Sequence, residues 1–427
     1  MTEQDSAPPS VPPTKANRSA PQPAELDPRL LVQGAGIGGY LTVLRRRITG
    51  GELGSLPVII GLIVIWAIFQ TQNSNFLTPG NITNLMLQLA ATGTISVGIV
   101  LILLLGEIDL SVGSVSGLCA SIMVVLNVKH GYGAVTAVLL ALLAGAAIGA
   151  FHGFVFTRFG VPAFVVTLAG LIGWQGAQLQ VLGKEGTINL QYGKGISKLT
   201  STFFSPAIGW GLVIVVAVGY TLVQLNEYRA RTRAGLLPRP MVEIIVRSAV
   251  VSAALLAAVA VLNQDRGLPL ALLIFFTLVV LFDLMIKRTR YGRHILAVGG
   301  NIEAARRAGI SVSGIRLSVF IIASTMAAAG GVLAASRLIA VNQSSGSGDV
   351  LLNAIAAAVI GGTSLFGGRG SAYSALLGML VIQSISNGMD LLGKSTPVKF
   401  MITGAVLLAA VILDSLSRRG RQSSGRA

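Results

Sequence analysis

Charged residues, cysteine and histidine are all scarce in this sequence. Of its 427 residues, 11% are Asp, Glu, Lys or Arg, about half the share usual in soluble domains. Cys119 is the only cysteine and lies in an apolar run, which excludes a disulfide framework and a cysteine-ligated metal site. His130, His152 and His294 lie far apart and match no metal-ligand spacing. We therefore expect no metal site in this chain.

Acidic residues are few and scattered, with 16 Asp and Glu against 32 Lys and Arg. Membrane prenyl or glycosyl transferases hold metal-bound diphosphate with clustered aspartates, and the acids here form no such cluster. The net charge of +16 could indicate a nucleic-acid partner. However, the basic residues lie in the tails and in a few loops between apolar segments, as anchoring at the cytoplasmic face requires. We expect no nucleic-acid partner.

Long apolar segments dominate the sequence, and 53% of the residues are hydrophobic. Many windows approach the roughly 20 residues that a helix needs to cross a bilayer. These segments are apolar all round, whereas helices of a soluble bundle have one polar face. The composition predicts an all-α polytopic membrane helix bundle. Residues 1–30 lack an apolar h-region, so we expect no cleavable signal peptide.

The apolar segments predict about twelve membrane spans (ten to twelve). The excess of arginine in alternate loops places both termini in the cytoplasm. The predicted spans are 57–70, 84–105, 110–127, 133–151, 161–181, 206–226, 249–262, 269–286, 317–336, 350–366, 371–390 and 396–415. The short span 350–366 is also compatible with a broken or re-entrant segment. The chain divides into a disordered cytoplasmic tail (1–30), an interfacial segment (31–56), a permease domain (57–415) and a basic cytoplasmic tail (416–427).

Glycine is abundant inside the apolar segments. Gly145, Gly149 and Gly153 form two overlapping G-x-x-x-G pairs. Small residues at this spacing let helices approach closely in a bilayer. The pattern favours packing within the bundle over a dimer contact.

Two carboxylates, Glu107 and Asp109, lie between apolar runs. Ionisable residues at such positions are costly in a membrane and are functional candidates. They could line a transport path, take up protons, or accept hydrogen bonds from backbone amides. Asp109 followed by Leu-Ser also has the pattern of a helix N-cap. We favour the capping role for Asp109, with direct substrate contact as the alternative.

A polar, arginine-rich loop at 287–316 separates two apolar spans. Its middle, Asn301 to Ala308, predicts a short helix with Asn301 as its cap and Gly309 as its stop. Such a helix, lying parallel to the membrane, suits docking into a groove on a cytosolic partner. A basic loop that binds lipid headgroups is the alternative.

Two strings match nucleotide-binding patterns. Residues 388–395 fit the P-loop pattern and residues 34–39 fit G-x-G-x-x-G, but both neighbour predicted membrane spans rather than the strand–helix units that these motifs need. We expect neither to bind a nucleotide. Any ATP-driven mechanism therefore requires a separate ATPase subunit.

Five motifs in order along the chain resemble the permeases of ABC importers for ribose, xylose, arabinose and galactose. They are Glu107–Gly113, Val161–Leu168, Gly299–Arg306, Ala354–Gly368 and Asn387–Met389. Shorter ribose-type members lack a stretch equivalent to residues 206–262. Its presence makes the chain most similar to the D-xylose permeases of this group.

This resemblance implies a permease homodimer in the cell membrane, without enzyme activity or cofactor. Its partners would be a cytosolic ABC ATPase subunit and an extracytoplasmic sugar-binding protein. It also implies a coupling helix that receives the movement of the ATPase, formed by Gly300, Asn301, Glu303, Ala304, Ala305, Arg306, Arg307 and Gly309. Two positions depart from the family pattern: Asn353 stands where an acid is usual, and Gln175 stands where arginine is usual.

A sugar path needs exchangeable donors and acceptors more than counter-ions. The candidates are Glu107, Asp109, Ser111, Thr167, Gln175, Gln178, Asn353, Thr363, Ser364, Phe366, Gln383 and Asn387. The polar members could equally be hydrogen-bonding contacts between helices. The expected function is import of a monosaccharide, D-xylose or a related pentose, by ATP-driven alternating access. The alternatives are an ABC permease for another sugar, a nucleoside or a branched-chain amino acid, and a proton-coupled carrier that uses Glu107 and Asp109.

Overall fold

The computed structural model describes residues 56–235 and 240–423. The predicted tail 1–30 and nearly all of the predicted interfacial segment lie outside this part of the chain, as do the last four residues. Within the described residues the fold consists of fifteen α-helices and four short strands.

Most helices follow one another with short connections, and the longest connections are residues 183–197 and 361–372. They are α1 (Leu56–Gln72), α2 (Pro79–Leu104), α3 (Val112–Val124), α4 (Ala134–Phe159), α5 (Ala163–Leu182), α6 (Lys198–Ser201), α7 (Pro206–Arg233), α8 (Met241–Leu262), α9 (Leu270–Arg288), α10 (Arg290–Gly300), α11 (Ile302–Arg307), α12 (Val312–Leu338), α13 (Asp349–Ile360), α14 (Tyr373–Leu391) and α15 (Thr396–Ser423). A π-helical turn (Val125–Lys129) extends α3.

Eight helices of the described chain are long and apolar enough to cross a membrane: α2, α3 with its π-helical turn, α4, α5, α7, α8, α9 and α12. Helices α1 and α13 and residues Thr396–Ala409 of α15 are apolar but shorter. Each of the twelve predicted spans overlaps one helix. The all-α membrane bundle is therefore confirmed, while the full count of twelve crossings stays a prediction.

Helix α2 forms the centre of the bundle, and 89% of its most apolar window is buried. It packs against α9, α12, α13 and α14. Because lipid tails are as apolar as leucine, burial alone does not drive such packing in a membrane, and small residues that allow close approach become important. At Gly98 a Cβ atom would lie 2.8 Å from the Ala323 carbonyl oxygen of α12. Glycine is therefore required at this crossing.

The G-x-x-x-G glycines of α4 contact α12. A Cβ atom at Gly145 would lie 2.8 Å from the Ser324 carbonyl oxygen, and one at Gly149 would overlap with the Phe320 carbonyl oxygen. Gly153 lies against Leu317 in the same way. The prediction that these glycines serve packing within the bundle is confirmed.

Two small antiparallel sheets join loops at the ends of the long helices. Strand β1 (Thr187–Asn189) pairs with β4 (Ala340–Asn342), with Ile188 opposite Val341. Strand β2 (Phe203–Phe204) pairs with β3 (Leu268–Pro269). The first sheet links the loop after α5 to the end of α12.

Helix α13 is a half-length element rather than the whole predicted span 350–366. Its 12 residues rise about 18 Å, against about 30 Å of hydrocarbon. The helix ends at Ile360 because Gly361 and Gly362 follow and Gly362 has a φ of 103°. Residues 361–366 are not helical and include two turns. The apolar composition of this run predicted continuity, but the glycines end the helix.

The chain leading into α13 packs on the first turns of α3. A Cβ atom at Gly346 would overlap with the Gly113 carbonyl oxygen and lie 2.6 Å from the Gly117 amide nitrogen. Gly346 also has a φ of 75°, which a residue with a side chain rarely adopts. The start of α13 is thus held against the start of α3.

Candidate translocation path and coupling segment

Glu107, in the loop between α2 and α3, forms an ion pair with Arg316 near the start of α12. The Glu107 Oε1 atom lies 2.7 Å from Arg316 Nη2, and the two side chains are only 17% and 20% exposed. The Arg316 guanidinium also lies 4.6 Å from the centre of the Phe156 ring. Burial raises the pKa of Glu107, and the neighbouring Arg316 charge opposes that rise. This carboxylate links the loop to α12.

Asp109 is almost fully buried. Its Oδ1 atom accepts hydrogen bonds from the Ser111 amide at 2.8 Å and the Ser111 hydroxyl at 2.7 Å. Burial raises the pKa of this carboxyl, and the Ser111 hydrogen bond opposes that rise. The N-cap position of α3 is Ser111, so Asp109 is not the N-cap, but the predicted structural role, in which Asp109 accepts from a nearby backbone amide, is confirmed. Through these two hydrogen bonds the Asp109 carboxylate spans Leu110 and holds Ser111 in place.

The hydrogen-bonded pair Asp109–Ser111 is connected to α4 and α5 through the side chains of His152 and Trp174. Ser111 Oγ lies 3.4 Å from His152 Nδ1, and Trp174 Nε1 donates to His152 Nε2 at 2.8 Å. Because Nε2 accepts, the proton of a neutral His152 ring lies on Nδ1, facing Ser111. His152 and Trp174 were missed as site candidates. A histidine in the apolar run of α4 was the available signal.

Thr167 joins the same loop from α5. Its hydroxyl oxygen lies 3.1 Å from the Leu110 amide, from which it accepts, and 3.0 Å from the Ala163 carbonyl. The structure therefore brings together three of the predicted candidates, Asp109, Ser111 and Thr167, in one buried network around the loop. Gln175, on the same helix, is exposed and lies outside this network.

Gln178 is buried and ties α5 to the loop before α13. Its Nε2 atom donates to the carbonyl oxygens of Asn342 and Ser345, both at 3.0 Å. Its Oε1 atom faces Gly117 of α3. These contacts fix Gln178 as part of the packing around the start of α13.

The candidates on α13 and the loop after it form a second group. Asn353 Nδ2 donates to Asp349 Oδ2, one turn earlier, at 2.9 Å. Thr363 is buried, and within the described residues its hydroxyl has no hydrogen-bond partner. Ser364 Oγ accepts from the Phe366 amide at 3.2 Å, while the Phe366 ring is 63% exposed.

The third group links α14 to α1 and α2. Asn387 and Asn81 exchange two hydrogen bonds of 2.8 and 3.0 Å. Gln383 Nε2 donates to Gln88 Oε1 at 2.6 Å, and Trp66 donates to Ser384 at 2.8 Å. Asn387 and Gln383 therefore have partners across a helix contact. The predicted path residues thus lie in three separate groups.

The predicted short helix in the loop at 287–316 is confirmed as α11. The Asn301 side chain accepts from the Ala304 amide at 2.9 Å as its N-cap, and Gly309 has a φ of 78° after its end. Glu303 pairs with both Arg306 (3.2 Å) and Arg307 (3.3 Å). Ala305 is the buried residue of α11. The remaining predicted members Gly300 and Ala304 are exposed.

The segment formed by α10 and α11 contacts the end of α2. A Cβ atom at Gly299 would overlap with the Leu104 carbonyl oxygen. The same carbonyl accepts from the Gly368 amide at 2.9 Å. Three parts of the chain, the α10–α11 junction, the end of α2 and the loop after α13, therefore meet at Leu104.

Comparison with known proteins identifies the family. A profile described as "Branched-chain amino acid transport system / permease component" matches residues 81–411. This chain belongs to that permease family. The xylose transport system permease protein XylH of Escherichia coli (strain K12) is 35% identical over 366 residues, covering 85% of this chain and 92% of XylH. The ribose import permease protein RbsC of the same strain is 30% identical over 376 residues, covering 87% and 97%. No solved structure matches the chain significantly.

XylH of Haemophilus influenzae (strain ATCC 51907 / DSM 11121 / KW20 / Rd) is 31% identical over 370 residues, covering 85% of this permease and 96% of that protein. The resemblance to the sugar permease group is confirmed, and this permease is a multi-pass protein of the cell membrane.

The P-loop-like string of this permease begins inside α14, where Gly388 packs on the Phe69 ring. A helix precedes the string rather than a strand, which argues against phosphate binding there.

Proposed function

We propose that this permease is the membrane subunit of an ABC importer that moves a monosaccharide, D-xylose or a related pentose, by alternating access. The observation that carries the proposal is the capped helix α11, together with Gly299 of the adjoining helix α10, which touches the end of the central helix α2. A movement imposed on α11 from outside the membrane would reach the bundle core directly. The names of the relatives XylH and RbsC support a sugar as the substrate.

The proposed topology has twelve crossings and both termini in the cytoplasm, with the permease domain at 57–415 and the coupling loop at 287–316. In this orientation α11 faces a cytosolic ATPase subunit. That subunit hydrolyses ATP, and the permease itself catalyses no covalent reaction. The exposed Glu303 and Arg307 side chains are suited to polar contacts with that subunit. A sugar-binding protein delivers the substrate on the opposite side.

A homodimer is supported by the outer face of α5. Gln175 is exposed on this face between Gly173 and Gly176, and both glycines have open space around them. An amide exposed to lipid is unfavourable. A second copy or the sugar path would provide hydrogen-bond partners for Gln175.

The proposed path further includes Asn353, Thr363, Ser364 and Phe366, whereas the partners of Asn387 favour a role in packing.

A proton-coupled carrier is the second candidate, because Asp109, Ser111, His152 and Trp174 form a buried hydrogen-bonded chain. The ion pair of Glu107 with Arg316 counts against free protonation of Glu107. A carrier of this kind needs no ATPase partner. The two mechanisms therefore differ in their energy source.

Radiolabelled D-xylose uptake in cells with and without the gene tests the proposal. Under the ABC mechanism, uptake requires the gene and ATP and survives an ionophore. Collapse of uptake by the ionophore with ATP maintained would favour the proton-coupled carrier. Gene-dependent uptake that an unlabelled nucleoside or leucine displaces better than xylose would replace the sugar assignment but keep the family. Better displacement by ribose would keep a pentose as the substrate and replace only xylose.

A further inference from the structure

A cavity of about 410 Å³ lies where α4 ends and α12 begins. It is within the volume range of small-ligand sites. Its lining includes Arg306, Arg316, Thr157, Ser311, Ser313 and Gly160, together with apolar residues. Since the end of one spanning helix and the start of another form its walls, the cavity lies at the membrane boundary.

The charged side chains that line this cavity are both basic. Two of the described residues that line it are arginines, and none of them is acidic. Glu107 binds Arg316 through Nη2 alone, and within the described residues Arg316 Nε has no hydrogen-bond partner although it is buried. Arg306 contributes one nitrogen to an exposed contact with Glu303 at 3.2 Å, and exposed ion pairs of this kind are weak. Both guanidinium groups therefore retain donors for an anion.

The start of α12 adds to this preference for an anion. The N-cap residue Ser311 makes no side-chain capping hydrogen bond, so its hydroxyl does not satisfy the amides of the first turn. Helix N-termini carry partial positive charge and unpaired amides that bind phosphate groups. The hydroxyl groups of Ser311 and Ser313 are further donors. Arginine forks match the oxygens of a phosphate in particular.

The surroundings of the cavity favour a lipid over a soluble phosphate. Beside the lining residue Gly160, the Phe159 side chain is 68% exposed, and Phe154 packs edge-on against it. Phe164, at the start of α5, is also exposed. Exposed phenylalanines next to a cationic cavity offer an apolar surface for acyl chains below a bound headgroup.

We propose that this cavity binds the phosphate of an anionic phospholipid headgroup, with Arg306 and Arg316 as its ligands. Arg307 provides a matched comparison because it lies on the same helix and pairs with the same Glu303 but does not line the cavity. The site is independent of the transported substrate. The proposed lipid site can therefore be tested independently of the sugar assignment.

The test uses the purified full-length permease in detergent, with phosphatidylglycerol or phosphatidylcholine added and binding followed by native mass spectrometry and thermal unfolding. We expect preferential binding and stabilisation by phosphatidylglycerol. Arg306→Gln should weaken this binding by about tenfold, the scale of one charge-assisted hydrogen bond, whereas Arg307→Gln should not change it. Arg306→Lys, which keeps the charge without the fork, should fall between them.

Equal binding of the two lipids would overturn the proposal. Equal losses in Arg306→Gln and Arg307→Gln would also overturn it, because they would indicate diffuse surface charge. Inorganic phosphate provides a further arm. Failure of millimolar phosphate to displace phosphatidylglycerol supports the lipid as the ligand. Displacement of phosphatidylglycerol by phosphate at concentrations similar to those of the lipid would support an anion site but contradict a lipid as its ligand.

Discussion

Gly299 and Leu104, almost two hundred positions apart, are in direct backbone contact, and no side chain fits between them. The contact joins the segment proposed to receive the ATPase movement to the helix at the centre of the bundle. The Leu104 carbonyl also accepts from Gly368, in the loop after the half-length helix α13. A displacement of α10 and α11 would therefore act on α2 and on the end of α13 together.

Gly299→Ala should separate α10 from α2 and impair transport. The new methyl group would overlap with the Leu104 carbonyl oxygen, and overpacking of this kind costs about 1–3 kcal/mol. Gly300→Ala is the control, because a Cβ atom at that position would have nothing within 4 Å of it. Uptake in membrane vesicles and thermal unfolding would be measured for both. Equal behaviour of the two variants would show that the contact carries no movement.

The charge exchange Glu303→Arg with Arg306→Glu should leave the permease folded and inserted but abolish uptake. The intrahelical ion pair can re-form in the exchanged order, so α11 should persist, whereas the charges that α11 would present to the proposed ATPase subunit are reversed. Membrane insertion and sugar accumulation would be measured in the same cells. Wild-type accumulation would contradict the assignment of α11 as the coupling helix.

The ion pair between Glu107 and Arg316 should be worth more than the pair on α11. Glu107→Gln leaves the largely buried Arg316 charge without its partner and should cost about 2 kcal/mol of the free energy of unfolding. Glu303→Gln, in an exposed pair, should cost about 0.5 kcal/mol or less. Thermal unfolding in detergent measures both.

The double variant Glu107→Gln with Arg316→Gln completes this test. If the two side chains stabilise each other, the double variant should lose less stability than the sum of the single variants. Additive losses would mean that each residue acts through other contacts, such as that of Arg316 with the Phe156 ring.

Local signals in the sequence were sufficient to predict where the long helices lie, but not all of their ends. Asn301 and Gly309 determine α11 because a cap and a positive-φ stop act within one turn. The same reasoning placed the cap of α3 at Asp109, two residues too early, because Ser111 competes for that role. Glycines at 361 and 362 ended α13 although the apolar run continues.

Contacts between distant residues could not be predicted in this way. The polarity of Asn387 and Gln383 fits both a transport path and a helix contact, and only the positions of Asn81 and Gln88 distinguish the two. The partners of His152 and Glu107 come from other helices. A single sequence shows the chemical type of each side chain, but it does not show which residue of another helix that side chain contacts.

Asn353 stands where the sequence resemblance leads us to expect an acid, and its hydrogen bond with Asp349 places a carboxylate one turn away. Both side chains lie on one face of α13, four residues apart, and are joined at 2.9 Å. Asn353→Asp would place two carboxylates together and should destabilise the helix by about 0.5 kcal/mol. The exchange Asp349→Asn with Asn353→Asp restores one carboxylate and one amide and should recover both stability and uptake. Thermal unfolding and sugar uptake would be compared for the single and exchanged variants. If Asn353→Asp matches the wild type in both, the hydrogen bond between Asn353 and Asp349 supports neither stability nor transport, and this prediction is contradicted.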